Sequence, residues 1–244
     1  MRSTSRILLL AVTTISLLLS ACVAPPRTAD QDAQFKSVAV VSMLDESPRV
    51  MRIGVTAFGN GAVNMNEDGA LNKLATEVVE QRLKTSRPNW VIRNAMADPA
   101  DLVQKHRTRG GSWHGFVGNI KQDLKEIAER SDADLLFVVV GHGTEEFYGG
   151  VGIVGGVGSL YRCRFDKSDG TARVYAHALL ILVDKSGSEI MQRSGGAQST
   201  AFVALDLPCD FAQLQASPVA KRLLSEMQRQ LRVSLESAAI SMGY

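Results

Sequence analysis

The chain has 244 residues, of which 45% are hydrophobic and 21% charged, a globular composition that excludes a disordered or collagen-like chain. Its 27 basic and 25 acidic side chains give a formal net charge of +2, so no strong electrostatic grip on nucleic acid is expected. Three cysteines are too few for a disulfide-rich scaffold.

Residues 1–21 have the organisation of a secretory signal peptide. Arg2 and Arg6 form a basic start, and an apolar run from Ile7 to Leu19 follows. This arrangement is typical of an export signal, and the run is shorter than the roughly 20 apolar residues that span a bilayer. The four residues after position 18, Leu19-Ser20-Ala21-Cys22, resemble the lipobox of bacterial lipoproteins.

The lipobox resemblance implies cleavage between Ala21 and Cys22, a diacylglyceryl group on the Cys22 thiol and an acyl group on its new amine. Several acyl chains hold a protein on a membrane far more firmly than one. Val23 stands where lipoproteins retained at the inner membrane carry Asp, so the resemblance implies the periplasmic face of the outer membrane. A plain signal peptide with an incidental cysteine is the alternative.

Residues 22–36 are predicted to be the lipidated cysteine and a flexible tether. They contain Pro25 and Pro26 among polar residues and show no apolar periodicity, which favours an extended segment. Residues 37–244 then form a single periplasmic domain.

The first half of this domain contains strands and helices in alternation. Ser37 to Met43 is β-branched and apolar, and Arg49 to Phe58 alternates, so the two predict strands in an N-terminal hairpin. Asp68 to Ser86 has apolar residues on one face of a helix, and Pro88 prevents its continuation. A short strand at 90–92, a helix from Asp98 to about residue 105 and a second amphipathic helix from Ile120 follow.

The second half begins with Leu135 to Val140, a continuous apolar run that predicts a strand buried on both faces. Gly141 to Gly158 holds eight glycines and predicts a compact hairpin, with insertion into a membrane as the alternative. Arg173 to Val183 and Glu189 to Arg193 form a second predicted hairpin. Ser217 and Pro218 open a long amphipathic helix at the end of the chain. The order predicts an α+β fold, a mixed sheet packed against amphipathic helices in a single domain.

The stretch from Ile120 to Thr200 resembles a group of periplasmic proteins. The group includes the curli-secretion channel lipoprotein (CsgG-type), the penicillin-binding-protein activator lipoproteins and the N-terminal domain of TolB. The resemblance lies in Ser131-Asp132-Ala133-Asp134 before the apolar strand and in Val183-Asp184-Lys185-Ser186-Gly187-Ser188-Glu189-Ile190. It implies the same fold and an envelope location, and it raises the alternative of an oligomeric secretion-channel subunit.

Residues that could carry chemistry are few and scattered. His142 stands between two glycines at the end of a predicted strand, where a general base could lie, and Cys163 is the nearest thiol for a peptidase. His106 and His114 with Cys163 or Cys209 match no compact zinc motif. Gly150 to Gly155 satisfies G-x-G-x-x-G but lacks a following helix. We therefore expect no metal and no cofactor, and keep a hydrolase using His142 as an alternative function.

Cys163 and Cys209 are the two cysteines left after the lipobox. In an oxidising periplasm they could pair, and two separate buried thiols are the alternative. Arg107, Arg109, Trp113 and His114 form a basic, aromatic loop that could contact phosphate, lipid headgroups or glycan.

Taken together, these features favour a lipid-anchored, non-enzymatic binding or assembly factor of the bacterial envelope. Its expected partners are the membrane, through the N-terminal lipid, and an envelope protein or peptidoglycan. A further copy of the chain is an additional candidate partner.

Overall fold

The computed structural model of the chain describes residues 25–65, 69–110, 117–148, 151–165 and 167–244. Residues 1–21, the predicted signal peptide, and Cys22 lie outside these residues. The α-helices are α1 (Ala29–Asp32), α2 (Ala70–Ser86), α3 (Pro99–Thr108), α4 (Lys121–Arg130), α5 (Phe211–Ala216) and α6 (Pro218–Met242). The strands are β1 (Ser37–Met43), β2 (Arg49–Ile53), β3 (Gly61–Asn64), β4 (Val91–Arg93), β5 (Leu135–Gly141), β6 (Gly143–Tyr148), β7 (Val151–Arg164), β8 (Lys167–Asp184), β9 (Glu189–Ser194) and β10 (Thr200–Ala204).

The strands form one mixed, ten-stranded sheet in the order β3-β2-β7-β8-β5-β1-β4, with β9 and β10 paired to β8 and β6 paired to β7. Strand β8 joins two halves of this sheet. Its carboxyl half pairs with β5 and β9, and its amino half pairs with β7 and β10. Strand β1 runs parallel to both β5 and β4. The predicted α+β class is thereby confirmed.

Helices cover both faces of the half that contains β1. Leu71 of α2 and Leu231 of α6 belong to the larger apolar cluster, which also takes the even-numbered residues of β1 such as Val40. Leu124 of α4 lies in the cluster on the opposite face with the odd-numbered Val41. The first six residues of β5 are all buried, as the continuous apolar run predicts. No helix in the described part of the chain is long and apolar enough to cross a bilayer.

The segment before β1 differs from the expected extended tether. Thr28 caps α1 with a capping box, and the Arg27 amide donates to the Met242 carbonyl at 2.8 Å. The buried Asp32 carboxylate contacts the guanidinium groups of Arg27 at 2.7 Å and Arg87 at 3.0 Å. Long-range charge pairing therefore folds residues 25–36 onto the body, although the local sequence is polar and contains two prolines.

Three further predictions about elements were wrong. The expected N-terminal hairpin does not form, because β2 pairs with β3 and β7 while β1 lies between β5 and β4. The strand expected to reach residue 58 ends at Ile53, where Gly54 packs on Gly59 so closely that an added Cβ would lie 2.6 Å from it. Strand β10 and helix α5 were not expected at all.

The glycine-rich segment and the end of the chain agree with expectation. β6 and β7 pair as an antiparallel hairpin. Helix α6 begins at Pro218, the Ser217 hydroxyl accepts a hydrogen bond from the Val219 amide at 3.2 Å, and Gly243 ends the helix at φ 99°. The left-handed backbone at its C-terminus explains why glycine stands there.

Candidate functional site: a groove at the carboxyl end of the parallel strands

At the carboxyl end of β1, the helices that follow in the chain lie on opposite faces of the sheet. Helix α2 packs on one face of β1, and helices α3 and α4 pack on the other. In open sheets with parallel strands, ligands bind in the crevice outside the carboxyl ends of the strands, where the connections diverge. The topology therefore predicts a ligand site among the residues that follow β1.

A groove of about 790 Å³ lies at this place. We call it the edge groove; it is lined by Val40–Ser42, by Leu44–Glu46, by the amino half of α2 and by residues from Asn94 to Arg107. A second cavity of about 680 Å³ adjoins it, next to Gly141 and Gly155–Val157. Asp45 and Arg107 line both, and their side chains form an ion pair at 2.6 Å. Both volumes lie in the range of small-ligand sites.

The wall of the edge groove is fixed by a polar cluster at the start of α2. Asn72 accepts a hydrogen bond from the Leu44 amide at 2.8 Å and donates to the Leu44 carbonyl at 3.0 Å. Glu46 accepts from the Leu71 amide at 3.1 Å and the Asn72 amide at 2.8 Å. Since Gly69, the residue before the helix, has no side chain, Glu46 satisfies the free amides of the first turn from a distant part of the chain.

Ser42 is the unusual residue of the groove. It is 4% exposed, and within the described residues its hydroxyl has no hydrogen-bond partner. Buried hydroxyls in folded proteins nearly always have a partner, so one without needs an explanation. Ser42 also lies in the lining of the edge groove. Ser42 is thus a residue of the groove lining whose buried hydroxyl the described part of the chain leaves without a partner.

Carboxylates outnumber cations in the lining of the edge groove. Glu77 is exposed, while Glu80 and Asp98 complete the walls on either side. Asp98 also accepts a hydrogen bond from the Ala100 amide at 2.9 Å, which caps α3. The Arg107 charge is balanced by Asp45, which leaves Lys73 as the other cation of the lining. The groove therefore favours cationic or hydrogen-bond-donating groups.

The structure joins the backbone of His142 to two other strands and takes the thiol considered as its nucleophile into a disulfide. The His142 amide donates to the His177 carbonyl at 2.8 Å, and its carbonyl accepts from the Gly156 amide at 3.2 Å. Cys163, the thiol considered for a peptidase, is joined to Cys209 with their Cα atoms 5.9 Å apart. A disulfide sulfur is not a free thiolate, so the peptidase interpretation loses its nucleophile.

The structure describes most of the other candidates from sequence. His106 contacts the Asn119 side chain at 2.9 Å, and His114 and Trp113 lie outside the described residues. Arg109 pairs with Asp123 at 2.5 Å. Because Cys163 and Cys209 form a disulfide, they are not zinc ligands. Across the described ranges, no group of three or more His, Cys, Asp or Glu side chains is placed to hold a metal ion.

His177 is a buried imidazole on β8 and predicts a pH effect. Burial, with smaller contributions from Arg173 and His142, lowers the pKa of His177 from 6.5 to about 4. The folded chain then keeps His177 neutral between these values while the unfolded chain binds a proton, so acid favours unfolding. The free energy of unfolding should fall as the pH drops from about 6.5 to about 4, by up to about 1.4 kcal/mol per pH unit from this group.

Urea unfolding at a series of pH values measures this effect. His177→Gln should remove the contribution and flatten the profile between pH 6.5 and 4. Ser199→Ala removes the hydroxyl that lies 3.2 Å from the imidazole but keeps the titrating group, so it should keep the slope. Equal slopes for the His177→Gln and unaltered chains would contradict the lowered pKa.

Comparisons with known proteins identify no family. No protein-family model matches the chain, and no curated protein matches it in sequence. Among solved structures, the PelC dodecamer from Paraburkholderia phytofirmans is similar at 14% identity and a TM-score of 0.30, over 88% of this chain and 94% of that one. The lipoprotein GNA1162 from Neisseria meningitidis is similar at 12% identity and a TM-score of 0.22, over 80% and 99%. Likenesses this distant do not assign a function, and self-association stays a prediction.

Of the groove residues, Arg107 is the one that the sequence marks as a candidate, through its basic, aromatic loop. Ser42, Asp45, Glu46 and Asn72 belong to no recognisable motif. The sequence does hold one signal, because Ser42 is a polar residue at an even position in a strand whose other even residues, Val38 and Val40, are apolar and buried. A serine in that register is expected either to find a partner or to face a cavity.

Proposed function

We propose that the chain is a lipid-anchored protein of the bacterial envelope that acts by binding another envelope component, with the edge groove as its binding site. In this proposal Cys22 carries the lipid and the body lies on the periplasmic face of the outer membrane. The lipobox residues support the anchor. The observation that supports binding is the buried Ser42 hydroxyl, which lines the groove and has no partner among the described residues.

The disulfide adds support for an exported protein. Cys163 and Cys209 are bonded, and structural disulfides persist mainly in oxidising compartments such as the periplasm. The described residues around His142 supply no thiol nucleophile, so a binding role is the simpler account of the site.

The anchor is tested by cell fractionation. The unaltered chain should be recovered with the outer membrane and released by detergent but not by high salt, because lipid and not charge holds it. Cys22→Ala should move the chain out of the membrane fraction. Val23→Asp keeps the lipid and should shift the chain toward the inner-membrane fraction. An unchanged membrane fraction for Cys22→Ala would refute the anchor.

A further inference from the structure

Within the described residues, strand β1 has an unpaired edge along the edge groove. Strand β4 pairs with β1 only along Ser37–Ala39, opposite Val91–Arg93. On the other side, β5 continues to pair with β1 as far as Met43. Beyond Ala39, no strand of the described chain pairs with β1 on the β4 side, and residues 94–98 pass there as irregular chain. Part of β1 is thus an unpaired strand edge that lies within a groove.

The hydrogen bonds at the start of β1 show which peptide groups face this side. The Lys36 carbonyl accepts from the Val91 amide at 2.9 Å, whereas the Ser37 carbonyl accepts from the Asp134 amide at 3.0 Å on the β5 side. Peptide groups alternate in direction along a strand. The even-numbered residues of β1 therefore face β4. The last pair of that ladder, Ala39 opposite Arg93, takes up the Val40 amide, so the Val40 carbonyl and the peptide groups of Ser42 are the ones that point to the β4 side beyond the end of β4. Such groups are the template to which an added strand binds.

The Ser42 side chain also lacks a hydrogen-bond partner in the described part of the chain. The residue is 4% exposed, and its hydroxyl is buried on the strand whose edge is open. A strand rises about 3.3 Å per residue, so the edge from Val40 to Met43 spans about 13 Å and matches about four residues of an extended peptide.

The walls of the groove indicate the charge of that peptide. Glu77 and Glu80 lie on α2, where Glu80 pairs with Lys84 at 3.5 Å, and Asp98 lies on the opposite wall. Lys73 is the cation of the lining that has no acidic partner in the described residues, since Arg107 pairs with Asp45. Basic side chains spaced along an extended segment would face carboxylates on both walls.

We infer that the edge groove accepts an extended, lysine- or arginine-bearing segment of a partner protein, which adds to β1 as a strand in the line of β4. This inference rests on the proposed binding function and names its partner class. Backbone hydrogen bonds to Val40 and Ser42 supply affinity, and the carboxylates select basic side chains.

The test uses the purified full-length chain in detergent and a fluorescent hexapeptide of alternating lysine and valine. The peptide should bind, and amide exchange at Ser42 should slow when it does. A peptide with glutamate in place of lysine should bind at least about tenfold more weakly, and so should a lysine peptide with N-methylated alternate amides, since about 1.4 kcal/mol corresponds to tenfold. Thr76→Trp, which fills the groove, should abolish binding, while Gln81→Trp on an exposed position of α2 should not.

Equal binding of both charges, or full binding of the N-methylated peptide, would overturn the inference. Binding of soluble peptidoglycan fragments that Thr76→Trp blocks, without binding of the peptide, would also overturn it and would leave the broader binding function standing. Binding of neither probe would overturn it as well. Fractionation of Cys22→Ala tests the anchor separately, so the two proposals fail in different experiments.

Discussion

Asp32→Ala should lower the free energy of unfolding by about 3–5 kcal/mol, the typical effect of removing one partner from a buried ion pair. Asp32 is 1% exposed and is contacted by Arg27 and Arg87, whose side chains are 12% and 13% exposed. Without the carboxylate, two largely buried guanidinium groups lose their counter-charge. Urea unfolding of the purified chain, followed by circular dichroism, measures the loss.

Asp30 provides the matched control. It lies on the same short helix but is exposed and outside the charge cluster, so Asp30→Ala should change the free energy of unfolding by no more than about 0.5 kcal/mol. If Asp32→Ala and Asp30→Ala unfolded at the same urea concentration, the segment before β1 would not be docked in solution, and the extended tether expected from sequence would be restored.

Replacing both bonded cysteines should cost about 4 kcal/mol. The disulfide joins residues 46 positions apart, and closing a loop of that length in the unfolded chain accounts for about this much in the chain-entropy description. Cys163→Ala with Cys209→Ala should therefore unfold at a clearly lower urea concentration. Other contacts also hold the segment that contains Cys209: Arg52 donates to the Cys209 carbonyl, and the Tyr161 hydroxyl donates to the Pro208 carbonyl at 2.9 Å.

A reductant distinguishes the bond from the packing of its sulfur atoms. Dithiothreitol should destabilise the unaltered chain by a similar amount and leave the double variant unchanged. A double variant as stable as the oxidised chain would mean that the two cysteines contribute as separate thiols. Separate thiols are the alternative that the sequence leaves open, because the spacing of the two cysteines does not decide between a disulfide and free thiols.

The elements predicted well are those whose signals are local. The bounds of β1, Ser37–Met43, follow from a β-branched apolar run, and the start of α6 follows from Ser217 and Pro218. Short strands without alternation carry weaker signals, so β10 and helix α5 were missed. The partners of each strand depend on the whole chain, which is why β1 and β2 were wrongly expected to pair.

The groove could not be predicted because its parts come from distant segments. Glu46 satisfies the amides of Leu71 and Asn72, and nothing near Glu46 in the sequence indicates that α2 begins there in space. The segment before β1 presents the same problem. Asp32 is buried only because Arg87 and the end of α6 pack against its segment. Its neighbours in the sequence are polar, and they therefore predicted a solvated tether.

The docked segment sets the distance between the body and any anchor. Four residues separate Cys22 from Arg27, whose amide is bonded to the Met242 carbonyl. At no more than about 3.5 Å per residue, an anchor at Cys22 would hold that end of the body within roughly 17 Å of the lipid. The hairpin between β7 and β8 lies at the far end of β8, a strand of 18 residues whose other end pairs with the start of β5. In a chain lipidated at Cys22, the end beside Arg27 would therefore lie near the bilayer, and the hairpin between β7 and β8 would lie farther from it.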